Sequence, residues 1–460
     1  MKKNIWTEYS GSELKNIDAL GKRYMSFLDN GKTERECVKE IIKAAEKKGY
    51  KDIDSLEKEG VSLKSGDKVY SVMMKKAVAL FNIGKRPISD GMNILGAHID
   101  SPRLDVKQNP LYEDTETAYL DTHYYGGIKK YQWVALPLAI HGVVVKKDGT
   151  VKEISIGEKD EEPVVFVSDL LIHLSQNQLE KKAAVVIEGE DLNVTVGNIP
   201  LKGAEKDAVK ANILELIKSR HEIDEDDFIS AELEIVPAGR ARQCGLDKSM
   251  IMSYGQDDRV CAYTSLEAML DVTDVERTSV CILVDKEEIG SVGATGMQSR
   301  FFENTVARVM ALCGSYSDIS MRLSLQRSKM LSSDVSSAFD PIYASAFEKN
   351  NVAYISHGMV FNKFTGARGK SGSNDANAEY IAELRKIMDD AKVRFQTAEL
   401  GKVDLGGGGT IAYILALYGM EVIDCGVAVL NMHAPWEVTS KADIYETKKG
   451  YVAFIKNAGL

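Results

Sequence analysis

The chain has 460 residues, of which 27% are charged, 44% hydrophobic and 7% aromatic, with a formal net charge of −10. That length suffices for two domains and at least one large core, and the composition is ordinary for a soluble globular protein. The acidic balance argues against a general nucleic-acid binder or a ligand of anionic membranes; the longest apolar run, WVALPLAIHGVVV at 133–145, is too short for a membrane span, and the start MKKNIWTEYSGSELK reads as no secretory signal.

Residues 11–59 carry helical periodicity, in SELKNIDALGKRYMSFLDN and then TERECVKEIIKAAEKKG, with Gly49 placed to end the second helix. The pattern turns to strands near Val69–Ala79 and at Asn93–Ala97, where the short buried strand NILGA delivers HIDSPRLDVK at its end. From about 110 to 245 the texture changes. HGVVVKKDGTVKEISIG predicts a hairpin turned at KKDGT, VSDLLIHLSQNQLEKKA (167–183) predicts one helix, and AELEIVPAG (231–239) predicts a strand leading out. We read 106–245 as a domain inserted into a main domain formed by 1–105 and 246–460.

Beyond residue 250, helix and strand alternate: VCAYTSLEAMLDV, TSVCILVD, ENTVARVMALCGSYS, NDANAEYIAELRKIMDDA, VRFQTAEL, GTIAYILALYGM and EVIDCGVAVLNMHAP. This alternation predicts an α/β fold, a mixed and largely parallel sheet flanked by helices, carrying a β-rich insert. Such sheets bind ligands at the carboxyl ends of their strands.

Five stretches place acids or histidines just there: AHIDSPR (His98, Asp100), YGQDDRV (Asp257, Asp258), KEEIG (Glu287, Glu288), LSSDVSSAFDP (Asp334) and NMHAPWE (His433). Each alone has a plain structural reading, such as a helix cap for Asp257 or a core histidine for His98. Together they make an imidazole and carboxylate ligand set that suits Zn, Mn or Co. The six cysteines (Cys37, Cys244, Cys261, Cys281, Cys313, Cys425) are scattered without a CxxC pair, which argues against a thiolate site or a disulfide framework and suggests a reducing, cytoplasmic setting. The set has the stoichiometry of a paired-metal site, with one carboxylate left over as a base. Adjacent Glu287 and Glu288 fit that division, one acid on a metal and its neighbour on the water. In a regular strand they would point to opposite faces, so the strand must have ended before them.

HIDSPRLDVK, KEEIGSVGATG, SSDVSSAFDP and GGGGTIAYILALYGMEVIDCGVAVLNMHAPWE, in this order, resemble the aspartyl aminopeptidase family of dinuclear zinc exopeptidases. The resemblance runs from about residue 15 to the C-terminus and includes YYGGIKKYQW and LLIHLSQNQ in the insert. It implies a zinc-exopeptidase-type fold and two divalent metal ions per subunit, zinc, with manganese or cobalt as alternatives. His98 and Asp334 would bind one ion, Glu288 and His433 the other, and Asp257 would bridge them. Glu287 would be the general base and Asp100 would orient His98. The insert would be a lid and dimerisation domain whose His173 reaches the neighbouring subunit's site. Peptide substrates and a homodimer building block of a tetrahedral homododecamer are implied as well.

Substrate-binding candidates are Lys363 and Lys370 in NKFTGARGKSGSN, with Arg368 between them, and Gly408 and Thr410 at the end of the glycine run. No P-loop lysine and no GxGxxG accompany that run, so we read it as allowing close backbone approach to bound peptide or metal ligands. The family's preference for N-terminal Asp or Glu rests on basic groups in its first side-chain pocket. Here Ser337 stands where members with acidic preference carry a histidine, and QWVALPL lacks the Asp-Arg that follows the family's tryptophan. The function implied is metal-dependent removal of single N-terminal residues from peptides, with Asp or Glu as the preference the family implies and neutral or hydrophobic residues as the alternative. The alternatives are a related dinuclear amidohydrolase and a non-catalytic shell-forming homologue. The latter predicts a broken ligand or base, and none of the six is substituted.

Overall fold

The computed structural model describes residues 3–460. The chain folds as two units: one holds the residues up to Asp100, Ala241–Met432 and Glu437–Leu460, the other Ser101–Arg240 with His433–Trp436.

The first unit is built on a nine-stranded sheet. Its spatial order is Lys51–Asp52, Lys68–Met73, Ala77–Asn82, Ser279–Val284, Asn93–His98, Lys329–Ser333, Glu421–Gly426, Met359–Asn362 and Phe395–Thr397. The four central strands, Ser279–Val284 through Glu421–Gly426, run parallel, and antiparallel pairs lie to either side. SVCILV, NILGAH and AVALFN are buried at every position. Such unbroken apolar runs belong to strands covered on both faces. Side chains alternate between two cores: Leu95, Cys281 and Leu331 face one, Ile94, Ile282 and Met330 the other. Helices Gly11–Asn30, Glu34–Glu46, Gln256–Asp271, Ala378–Asp390 and Lys441–Asn457 contribute to the first core, and Phe301–Leu312, Asp318–Gln326 and Ala412–Ala416 to the second. The helix at Glu34 starts as its sequence demands: Thr33 takes the Glu36 N–H while the Glu36 carboxylate reaches back to the Thr33 N–H.

This is the α/β sheet with flanking helices that the alternation predicts. The helix in GTIAYILALYGM is short, only Ala412–Ala416, and EVIDCGVAVLNMHAP splits into Glu421–Gly426 and Ala428–Leu430. The latter joins a second, five-stranded sheet with Ser336–Ser337, Glu437–Ser440, Met250–Ser253 and Arg242–Cys244. Nothing in the sequence pattern announces this sheet, because its strands are two to four residues long and far apart in the chain.

The second unit is a seven-stranded antiparallel sheet, ordered Val151–Ile156, Leu138–Val145, Ala231–Pro237, Arg103–Asp114, Thr117–Tyr125, Val194–Gly197 and Phe166–Val167. The KKDGT hairpin forms as expected, closed by the Lys146 N–H on the Thr150 carbonyl at 2.8 Å. The single helix expected over 167–183 does not. The segment holds a strand end at Val167, a 3-10 turn at Ile172–Leu174 and one short helix, Gln176–Leu179. Leu170, Leu171, Ile172, Leu174 and Leu179 are all exposed, so the apolar periodicity has no core to pack against, and helices owe most of their stability to such packing. The long helix of this unit is Ala208–His221. Among the described residues no helix is long and apolar enough to cross a membrane.

Candidate metal centre

Strand Asn93–His98 ends by presenting His98, which is 1% exposed. Its Nδ1 lies 3.2 Å from Asp100 Oδ1 and 3.1 Å from the Asp100 carbonyl. These acceptors make Nδ1 the protonated nitrogen and leave the Nε2 lone pair for a ligand role. Nε2 lies 3.3 Å from Asp257 Oδ1, 3.8 Å from Glu287 Oε2 and 3.9 Å from Asp334 Oδ1.

The adjacent glutamates stand where the sequence requires the strand to have ended. Ser279–Val284 runs out, Asp285 follows, Lys286 turns left-handed at φ +68, and Glu287–Ile289 form a single 3-10 turn closed by Gly290 at φ +95. Two carboxylates hold that turn. Asp285 accepts the Thr295 hydroxyl at 2.6 Å and the Lys286 N–H at 2.7 Å. The Asp100 carboxylate accepts the N–H groups of both Glu287 and Glu288, each at 3.2 Å. Asp100 thus orients His98 with its side chain and also fixes the backbone that carries the paired acids.

Asp257 opens helix Gln256–Asp271, where it and Asp258 depart from helical dihedrals and the peptide between them is cis. Its N–H donates to Glu437 Oε2 at 3.0 Å, and Gln256 donates to the Glu437 carbonyl at 2.7 Å. Asp334 follows strand Lys329–Ser333 and donates its N–H to the Cys425 carbonyl at 2.8 Å. Gly426 makes this approach possible, since a Cβ there would sit 2.0 Å from the Asp334 carbonyl oxygen.

Ligand atoms of His98, Asp257 and Asp334 lie within 4.8 Å of one another, and those of Asp257 and Glu288 likewise. Burial pulls the His98 imidazole down, but Asp100, Asp257 and Glu287 outweigh it and hold the ring well above its ordinary value. Burial, with the charges of Asp258 and Glu287, pushes Asp334 well above the carboxylate range. Carboxylates crowded on one buried imidazole repel each other at a high desolvation cost, which a divalent cation offsets. All the donors are imidazole nitrogen or carboxylate oxygen, a set that fits zinc, manganese or cobalt.

His433 stands in the segment His433–Trp436 at φ +63. Its Nδ1–H donates to the Gly127 carbonyl at 2.7 Å, so its Nε2 also keeps the lone pair. His173 sits exposed on the 3-10 turn Ile172–Leu174 rather than on a helix. Lys363 and Lys370 share one partner, Asp375, at 3.8 and 2.8 Å, and the Lys370 ammonium lies 3.9 Å from the centre of the Phe364 ring.

The glycine run calls for a correction. Its first two members pack on the protein's own backbone: a Cβ on Gly406 would lie 1.6 Å from the Leu400 carbonyl oxygen, and one on Gly407, at φ +111, 1.8 Å from that of Gly366. Gly408 and Gly409 meet no backbone within 4 Å. The reading of the sequence also missed Glu437 and Asp285. Neither has a local signal, since each is recognisable only through the turn or helix end that it holds.

The family described as "Aminopeptidase I zinc metalloprotease (M18)" matches residues 27–455. A "Probable M18 family aminopeptidase 1" from Clostridium acetobutylicum is 64% identical over 456 residues, covering 99% of this chain and 98% of its own. The crystal structure of an M18 aminopeptidase from Thermotoga maritima is similar with a TM-score of 0.94 at 43% identity, covering 99% of each chain. A structure of the Saccharomyces cerevisiae mApe1 dodecamer, 20% identical with a TM-score of 0.76 and covering 96% of this chain and 97% of that one, shares the fold.

Proposed function

This chain belongs to the M18 family of zinc metallo-aminopeptidases, and from that premise we propose how its residues divide the work. His98 and Asp334 would hold one metal ion, Glu288 and His433 the other, with Asp257 available to both. The observation that carries this reading is the convergence of Asp257, Glu287 and Asp334 on Nε2 of His98. When bound, paired zinc ions polarise the scissile carbonyl and make water a nucleophile at neutral pH.

Glu287 is the base in this scheme. It accepts the proton of the attacking water and returns it to the leaving amine. Asp100 keeps the proton of His98 on Nδ1 and holds the Glu287–Glu288 turn. The peptide's free α-amine is recognised by the carboxylates of the centre, which limits cleavage to one N-terminal residue. The insert acts as lid and dimerisation domain, His173 extends to a neighbouring subunit, and dimers build a homododecamer in the cytoplasm. Six free cysteines support the reducing setting.

For the first residue we favour neutral side chains. Lys363 and Lys370 are the candidates for its pocket, with Gly408 and Thr410 on the same substrate side. Both lysines are turned to Asp375, whose carboxylate is held below its ordinary range by Lys370 and then by Lys363. That leaves less positive charge for an acidic substrate. The test is hydrolysis of Asp-, Glu-, Leu-, Ala- and Lys-chromogenic substrates by protein loaded with Zn, Mn or Co, with N-acetylated controls. Cleavage of Leu or Ala substrates over Asp and Glu, with blocked ones inert, is the expected result. Preference for Asp and Glu would reverse the specificity. Cleavage of blocked substrates, or of none, would overturn the aminopeptidase assignment.

A further inference from the structure

Asp424 is a carboxylate that the scheme above does not use. It lies two residues beyond Val422 in strand Glu421–Gly426, so it shares the face covered by Met330, Ile411 and Val422, and it is 2% exposed. Oδ1 accepts the Thr410 hydroxyl at 2.5 Å, while Oδ2 is buried with no hydrogen-bond partner among the described residues. A half-satisfied carboxylate at the edge of an apolar core costs stability that a leucine or valine would not. Burial raises its pKa, the Thr410 hydrogen bond opposes and the charge of Glu287 adds to the rise, and together they leave it at about 7.

Thr410 closes the glycine run, and its Oγ1 also accepts the Ala412 N–H at 3.3 Å. The run is laced in turn to the segment bearing Lys363 and Lys370. The Gly366 N–H donates to the Gly408 carbonyl at 2.8 Å, and Gly407 packs against the Gly366 carbonyl. Contacts therefore lead from the sheet, at Asp424, through Thr410 and the glycines, to Gly366 in the segment that bears Lys363 and Lys370. Backbone bonds hold the first part of the run, Gly406 N–H on the Lys402 carbonyl at 2.6 Å and Gly408 carbonyl on the Gly366 N–H, and the Asp424–Thr410 bond is the side-chain anchor at its end.

We infer that Asp424 is a positioning residue for catalysis: through Thr410 it fixes the glycine loop, and with it the substrate-side segment, at the end of the sheet that carries Glu287. This rests on the aminopeptidase reading above. Small displacements of positioning groups cost rate even when the reacting groups are intact.

The test compares Asp424→Leu, Asp424→Asn, Thr410→Val and the double variant Asp424→Leu/Thr410→Val in zinc-loaded full-length protein. Asp424→Leu is expected to lower kcat/KM on the best substrate by roughly 10- to 100-fold. Metal content and melting temperature should hold or rise. Asp424→Asn, which keeps an acceptor for the hydroxyl, should recover much of that loss. Thr410→Val should fall in the same direction, and the double variant should be no worse than the poorer single, because both act through one bond. Asp424→Leu within twofold of the parent, additive losses, or activity that falls only in step with lost metal or melting temperature would overturn the inference. Should Asp424→Leu not fold, Thr410→Val and Asp424→Asn decide it by the same criteria. An inert parent protein would sink the aminopeptidase reading together with this one, whereas an active parent with unaffected variants would sink this one alone.

Discussion

At the scale of residues, two adjacent acids can serve one centre only because the chain leaves its strand before reaching them. Lys286 at positive φ and the 3-10 turn at Glu287–Ile289 turn them away from sheet alternation, and Asp100 grips both backbone N–H groups. The division of labour makes a sharp expectation. Glu287→Gln keeps shape and hydrogen bonding but cannot take a proton, so kcat should fall by about 10²–10⁴-fold with metal content unchanged. Metal analysis beside single-substrate kinetics checks it, and loss of metal would move Glu287 among the ligands. Asp100→Ala removes the carboxylate that accepts from the Glu287 and Glu288 N–H groups and one of the two acceptors of His98 Nδ1–H, leaving only the main-chain carbonyl at 3.1 Å. It should weaken metal affinity by roughly 10–100-fold, read by competition with a chelator, and activity at saturating metal should stay below that of the parent because the turn has lost its support.

At the scale of elements, the helices are tied together by charges as well as by the core. Glu267, on helix Gln256–Asp271, receives Arg23 from Gly11–Asn30 at 3.1 and 2.7 Å, Tyr263 at 2.8 Å and Lys448 from Lys441–Asn457 at 3.2 Å. Burial raises its pKa, but Arg23 and then Lys448 outweigh that and bring it down to about 2. A depressed carboxyl pKa adds stability that is present above the unfolded value, near 4.3, and is lost as pH falls through the folded value. The contribution is on the order of 1–3 kcal/mol for a largely buried group. Thermal melts between pH 5 and pH 2 should therefore fall less steeply for Glu267→Gln than for the parent; parallel curves would show that the group contributes nothing. The segment 167–183 teaches the opposite lesson. Its apolar spacing is helical, yet those side chains are exposed and the chain makes only short turns. Local pattern decides an element only when a neighbour exists to bury it.

At the scale of the whole molecule, metal and assembly should both register as stability. A ligand that binds only the folded state stabilises it by about 2.7 kcal/mol at a hundredfold excess over Kd. Chelation should lower the melting temperature of the parent, and zinc should restore it. His98→Ala should respond less, because one imidazole is gone; an unchanged response would remove His98 from the ligands. Sedimentation velocity at several concentrations should show species of two and twelve chains, and a single monomeric species would end the assembly proposal.

Sequence by itself determined the alternation of strands and helices after residue 250, the burial of NILGA and CILV, and the chemical kind of the centre. Apolar runs, helical spacing and the ligand preferences of histidine and carboxylate are local or compositional properties. Only tertiary structure decided that Asp100 supports the glutamate turn 187 and 188 residues away, that Glu437 holds the Asp257 backbone 180 residues away, that five short strands form a second sheet, and that Asp424 accepts the Thr410 hydroxyl. These are single hydrogen bonds and short pairings between distant parts of the chain. Such contacts leave no periodicity in the sequence, and they exist only once the core has brought their partners together.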